Sequence, residues 1–167
     1  MSAILAIDFE TANYNRDSAC AVGLALVRDR QLVTTDSFLI RPPNSWFVFT
    51  YIHGLTWDDV CDAETYGELW PTIREYIDAA DYLAAHNASF DHSVLLQCCG
   101  RSGLAVPDIP FICTMQLARD QWGIYPTKLP DVCRELGIDL RHHDAASDAE
   151  ACARIVIAAH KGGWRPG

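Results

Sequence analysis

The first forty residues constrain the architecture most. Residues 3–9 (Ala-Ile-Leu-Ala-Ile-Asp-Phe), 19–28 and 31–40 are dense in aliphatic and β-branched residues and read as three strands. The Arg28-Asp29-Arg30 stretch between the second and third suits a short hairpin turn, so this pair is expected to be antiparallel. Pro42-Pro43-Asn44 ends the third strand. The periodicity then changes. Leu69, Ile73, Tyr76 and Ile77 fall at helical spacing within 64–79, and residues 82–86 form a short apolar strand. A helix is expected over 89–100, closed by Gly100 and Gly103, and a strand over 110–113. Helical stretches follow near 114–122 and 128–136, then an alanine-rich helix over 145–160 with Asp144 as its N-cap. Three strands followed by alternating helices and strands imply an α/β domain with a mixed sheet, an antiparallel meander joined by parallel strands. With no internal repeat or linker, one domain is expected over 1–160, with 161–167 as a loose tail.

Composition limits the classes. No apolar run in the 167 residues approaches the ~20 needed to span a bilayer. The start, Met1-Ser2-Ala3-Ile4-Leu5, lacks a basic region and its apolar run stops at Asp8, so no signal peptide is expected and the location reads as cytoplasmic. The seven cysteines include no C-x-x-C pair. They read as small buried hydrophobes in a reducing compartment rather than zinc ligands. The net charge of −9 is unusual for a chain that grips phosphates, which favour a basic face. If Asp8, Glu10, Asp91 and Asp148 hold metal, discounting those four charges takes −9 to −5. Bound divalent cations then supply the local positive charge.

The chemistry-bearing residues fall in three places. Asp8-Phe9-Glu10 ends the first strand, and alternation sends both carboxylates to one face with Phe9 on the other. Two such acids side by side call for a cation between them. His86-Asn87-Ala88-Ser89-Phe90-Asp91 follows the short strand; Ser89 is expected to cap the next helix, with Asp91 in its first turn. His143 and Asp148 are five apart, which is not one helical face, so the histidine belongs to the loop and the aspartate to the first turns of the last helix. His142 is expected to point outward. Trp57, Trp70 and Trp122 are expected in or near the core.

Together, D-x-E at 8–10, N-x-x-F-D at 87–91 and H-x-A-x-x-D at 143–148 resemble the DEDD exonucleases, the DnaQ-like superfamily. Ile52-His53-Gly54-Leu55-Thr56 is similar to that family's I-H-G-[IL]-T segment, and Thr114-Met115-Gln116-Leu117-Ala118-Arg119 to its T-x-x-L-A-R helix. A histidine five residues before the last aspartate, with Asp rather than Tyr at 144, matches the DEDDh branch. The resemblance covers roughly residues 3–158. It implies a ribonuclease H-like fold, two Mg²⁺ or Mn²⁺ ions, and release of 5′-mononucleotides from a nucleic acid 3′ end. By the family pattern Asp8 bridges both ions, Glu10 and Asp148 complete the site that activates water, Asp91 serves the other ion, and His143 is the general base. Thr11, Ala12, His53, Leu55 and Asn87 match positions near the terminal nucleotide. Many relatives carry Asp where this chain has Cys113; that position is not a ligand, so an altered local hydrogen bond is expected.

The expected activity is 3′→5′ hydrolysis of single-stranded nucleic acid, DNA favoured over RNA. Two alternatives stand beside it. One is a catalytically idle module that binds a partner such as a DNA polymerase. The other is a phosphodiesterase acting on dinucleotides or short oligoribonucleotides, which the acidic balance favours. A DNA polymerase or a second copy of the chain remains open as partner, whereas no membrane partner is expected. The aromatic loop Trp46-Phe47-Val48-Phe49 has two readings, a base-stacking surface or a hydrophobic lid over the sheet, with the lid preferred.

Overall fold

The computed structural model describes all of residues 1–167. Five strands form one sheet: β1 (Ile4–Thr11), β2 (Ala19–Arg28), β3 (Gln31–Leu39), β4 (Tyr82–Ala85) and β5 (Phe111–Cys113), in the order β3-β2-β1-β4-β5. β1, β2 and β3 pair antiparallel, while β4 joins β1, and β5 joins β4, in parallel. This is the mixed sheet that the sequence implies. The β2–β3 turn places Asp29 (φ 52°) and Arg30 (φ 64°) in the left-handed region, the conformation of a tight two-residue hairpin.

Seven helices complete the domain: α1 (Thr50–His53), α2 (Trp57–Val60), α3 (Tyr66–Asp78), α4 (Ala88–Arg101), α5 (Thr114–Trp122), α6 (Leu129–Leu136) and α7 (Ala145–Lys161). Alternation along β1 sorts the core into two layers. Leu5, Ile7 and Phe9 pack beneath α3 and α4 with Ile73, Ile77, Val94 and Leu95. Ile4 and Ala6 pack on the other face with Ala149, Cys152, Ile155 and Val156 of α7 and Val132 of α6. Asp8 and Glu10 continue the second row, so both acids emerge on the α7 face. All seven cysteines are free and five of them are buried, as small apolar residues.

Several local expectations give way to tertiary structure. α4 starts at Ala88, one residue early, and its N-cap is Asn87 at φ 64°, so Ser89 sits inside the helix with its hydroxyl turned to the Asn87 side chain. Gly100 lies within α4; the chain turns out of it at Gly103, at φ 66°. Trp122, at the end of α5, is exposed, because the buried residues of that helix, Thr114, Leu117 and Ala118, all lie before its last turn. The tail is docked rather than loose. Trp164 stacks on the buried ring of His160 with centroids 5.3 Å apart, Arg165 donates to the His160 carbonyl at 3.1 Å, and the Tyr82 hydroxyl donates to the Gly167 carbonyl at 3.2 Å.

A candidate active site of clustered carboxylates

Three elements deliver the acids. β1 pairs with β4 only through Ala6, so the Phe9 N–H has no strand partner on that side. Asp91, in the first turn of α4, takes its place: its Oδ1 accepts from Phe9 N at 2.9 Å. Asp148 arrives from the opposite face. Asp144 caps α7, its side chain accepting from Ser147 N at 2.9 Å, which sets Asp148 in the first turns pointing at β1. The ligand oxygens of Asp8, Glu10 and Asp148 lie within 4.8 Å of one another.

Gly23 makes that approach possible, a role that the sequence does not advertise. It pairs with Asp8 across β1 and β2. A Cβ built on Gly23 would lie 1.8 Å from the Ala145 carbonyl oxygen. The first turn of α7 therefore rests directly on the backbone of β2, and only glycine permits it.

The electrostatics are those of a site built for cations. Burial, then Asp91, Glu10 and Asp148, raise the Asp8 carboxyl well above the usual range. Burial and the facing Asp148 lift Glu10 to about 8, and burial lifts Asp91 to about 7 against the restraining Phe9 N–H. Asp148 is also raised by burial, opposed by its hydrogen bond to His142. Asp8 Oδ2 is buried without any hydrogen-bond partner. An orphaned carboxylate oxygen among three other acids fits a hard divalent cation, which takes oxygen ligands of this kind. A second group, His142, His143 and Asp148, is also close enough to share an ion. Both Asp148 oxygens in that group already hold hydrogen bonds, whereas the unpartnered atom belongs to the carboxylate set.

His143 sits in the loop before α7 with φ 67°, and its N–H donates to Asp148 Oδ2 at 3.0 Å. Its exposed ring lines a cleft of about 170 Å³ together with Glu10, His53 and Leu55. Burial and the neighbouring His142 lower its pKa below the ordinary value. His142 does not point outward: its Nδ1 lies 3.2 Å from Asp148 Oδ1, and its ring stacks on His143 with centroids 3.7 Å apart. The outward expectation fails because adjacency on an irregular loop does not fix a side chain's direction, and the buried Asp148 carboxylate draws the ring toward it.

The remaining candidates divide. His53 accepts from Leu55 N at Nδ1 (3.0 Å), so its Nε2 carries the proton and donates to the Thr11 carbonyl at 3.0 Å. That bond ties α1 to the end of β1. Thr11 and Ala12 are buried, and the Ala12 backbone is fully engaged, its N–H with Ser18 and its carbonyl with Val48 and Phe49. Asn87 is exposed at the mouth of α4. His86 is not turned to the carboxylates; it bridges Thr114 Oγ1 at 2.9 Å and the Thr127 carbonyl at 2.8 Å. A larger cavity, about 500 Å³ and lined by Arg41, Trp57, Tyr66 and Arg101, holds none of the four acids. Charge, rather than volume, marks the site.

A mixed sheet with acids brought to the end of its first strand, one from the last helix, defines a ribonuclease H-like domain of the nuclease type. The comparisons with known proteins agree. The RNase T exonuclease family matches residues 5–156, and the chain belongs to that family, within the DEDDh, DnaQ-like exonucleases. It is 32% identical over 146 residues to exodeoxyribonuclease 10 of Escherichia coli, covering 78% of this chain and 57% of that protein. It is 30% identical over 156 residues to a PolC-type DNA polymerase III of Caldanaerobacter subterraneus, covering 90% of this chain but only 11% of the polymerase. Among solved structures, exonuclease X in complex with 5′-overhanging duplex DNA superposes with TM-score 0.77 and 25% identity, covering 97% of this chain and 94% of that one. The nuclease domain of 3′hExo, a DEDDh member bound to rAMP, has the same fold, with TM-score 0.82, 19% identity and 97% and 93% coverage.

Proposed function

We propose that this domain is a 3′→5′ exonuclease that hydrolyses the terminal phosphodiester of single-stranded nucleic acid, DNA in preference to RNA, releasing 5′-mononucleotides. The observation that carries the reading is the buried, unpartnered Asp8 oxygen beside Glu10 and Asp148, with His143 across the same cleft. Asp8, Glu10, Asp91 and Asp148 would hold two Mg²⁺ or Mn²⁺ ions. Such ions, when bound, neutralise charge on the phosphoryl group and on the attacking and leaving oxygens. His143 accepts the proton of the attacking water. Its lowered pKa keeps the ring neutral near pH 7, ready to act as base. Water adds to the terminal phosphorus, the bond to the preceding 3′ oxygen breaks, that oxygen takes a proton from solvent, and His143 returns its own proton to solvent. His142 holds Asp148 in place while His143 does this work. Relatives support the reading: one is named an exodeoxyribonuclease, and another is complexed with DNA.

The test is digestion of 5′-labelled DNA and RNA oligomers with Mg²⁺ or Mn²⁺, comparing wild type with Asp8→Asn and His143→Ala. A ladder shortening from the 3′ end in the wild type alone, with mononucleotide as product, is expected. Equal inertness of all three proteins would instead favour a binding module without turnover.

A further inference from the structure

Beyond the carboxylates, the same end of the sheet carries exposed aromatic rings that the core does not use. Tyr14 is 69% exposed and Trp46 50% exposed. Tyr14 meets Phe49 edge-on with centroids 4.9 Å apart, and Trp46 at 6.4 Å. Phe47 behaves differently, packing inward against Ala12, Cys20 and Val60. The 46–49 loop is thus a lid through Phe47 alone, and its Trp46 ring faces water beside Tyr14.

The rings stand on a rigid base. Asn13 Nδ2 donates to the Trp46 carbonyl at 3.0 Å, and Val48 N and Phe49 N donate to the Ala12 carbonyl at 2.7 and 3.2 Å. Asn13 Oδ1 accepts from Asn15 N at 2.9 Å and Asn44 Oδ1 from Trp46 N at 3.0 Å. Arg16, in the same loop, lies 4.4 Å over the Phe90 ring, next to Asp91 in sequence. Large apolar rings kept outside on a pinned backbone mark a binding surface.

We infer that Tyr14 and Trp46, with the half-buried Phe49 supporting Tyr14 edge-on, form a stacking platform for the unpaired bases upstream of the nucleotide being removed. The inference rests on the exonuclease reading and names its substrate class as an unpaired strand of several nucleotides. Reach supports it: Tyr14 is four residues beyond Glu10, so their backbones stand at most ~14 Å apart. At ~3.4 Å per stacked nucleotide, that span covers up to about four bases. Charge supports it too. With a net charge of −9, the chain has little electrostatic hold on a phosphate backbone. Stacking supplies affinity that needs no cations and tolerates any base, since every base has a π-face.

The experiment compares a thymidine dinucleotide, a single-stranded thymidine octanucleotide and a blunt duplex as substrates of wild type, Tyr14→Ala, Trp46→Ala and Tyr14→Phe. Wild type is expected to favour the octanucleotide through KM, by at least about tenfold over the dinucleotide, and to lose that preference on the duplex, whose bases are already stacked. Each alanine variant is expected to raise the octanucleotide KM about tenfold, leaving kcat and dinucleotide hydrolysis within twofold, while Tyr14→Phe behaves as wild type. The octanucleotide KM should also vary little between 50 and 200 mM salt. Equal kcat/KM for dinucleotide and octanucleotide, or alanine variants without effect on KM, overturns the platform while leaving the exonuclease reading intact. Failure to hydrolyse any of the three substrates overturns both. Loss of a dimer in the alanine variants, with length preference unchanged, would assign the rings to self-association and likewise overturn the platform.

Discussion

Replacing Gly23 by alanine tests how the acidic site is assembled. The added Cβ would lie 1.8 Å from the Ala145 carbonyl oxygen, where ordinary contact begins at 3.4 Å and even tight contact needs 3.0 Å. The obstacle is backbone on both sides, one strand within the sheet and one capped helix end, so neither yields by rotating a side chain. The first turn of α7 must therefore lift by about 1.2–1.6 Å, the difference between those distances. Asp148 lies in that turn, and its oxygens meet Asp8 and Glu10 within 4.8 Å. Metal–ligand distances tolerate only about ±0.2 Å, and a misplacement of about 1 Å can lower turnover roughly 10²-fold. Overpacking of this kind destabilises by about 1–3 kcal/mol, which for a chain of this size lowers the melting temperature by roughly 2–12 °C. The expected result is a folded protein with turnover down about a hundredfold and weakened Mn²⁺ binding by calorimetry. Gly67→Ala is the control, since its nearest neighbour, Ser102 Cβ, is 3.6 Å away and no shift is needed. If Gly23→Ala keeps turnover within about threefold of wild type, the close approach of helix and strand is not what assembles the site.

Other outcomes follow from the same structure. In EDTA the wild type should lose stability as pH rises from about 4, where the unfolded chain releases these protons, to about 8, and then level off. Glu10 and Asp91 have folded-state pKa values of about 8 and 7, above their unfolded values, so their stabilising protons are lost as pH rises through that range. Asp8→Asn should flatten that fall and added Mg²⁺ should reverse it; parallel melting curves for both proteins would refute the repulsion. His142→Ala should weaken Mn²⁺ affinity about 10–100-fold with little change in melting temperature, by removing the partner that orients Asp148; unchanged affinity in calorimetry would remove that role. Arg30→Gly should raise the melting temperature by the equivalent of about 0.5–1 kcal/mol, because relief of the left-handed strain at φ 64°, about 1–2 kcal/mol, outweighs the entropy that glycine adds to the unfolded chain, about 0.4–1 kcal/mol. A lowered melting temperature would mean that the arginine side chain contributes more than its backbone strain removes.

Much of this domain is local and therefore legible from its residues alone. The runs of aliphatic and β-branched residues mark β1 to β3 within a residue or two, and the 3.6-residue spacing of Leu69, Ile73 and Ile77 marks α3. Alternation alone sends Asp8 and Glu10 to one face, and Asp144 caps α7 as its side-chain chemistry requires. Such features depend on bonds between near neighbours in the chain, which every segment carries with it. What the assembled molecule alone decides involves elements that meet only after folding. Gly23 became significant because a helix beginning 122 residues later lies on it. His142 turned inward because Asp148 is buried beside it, Trp122 stayed outside because its helix presents only one turn to the core, and the tail docked because His160 offered a ring to cover. The raised pKa values of the acids belong to the same class: each carboxylate is ordinary in an extended chain, and desolvation by a shared interior makes it hold its proton or call for a cation.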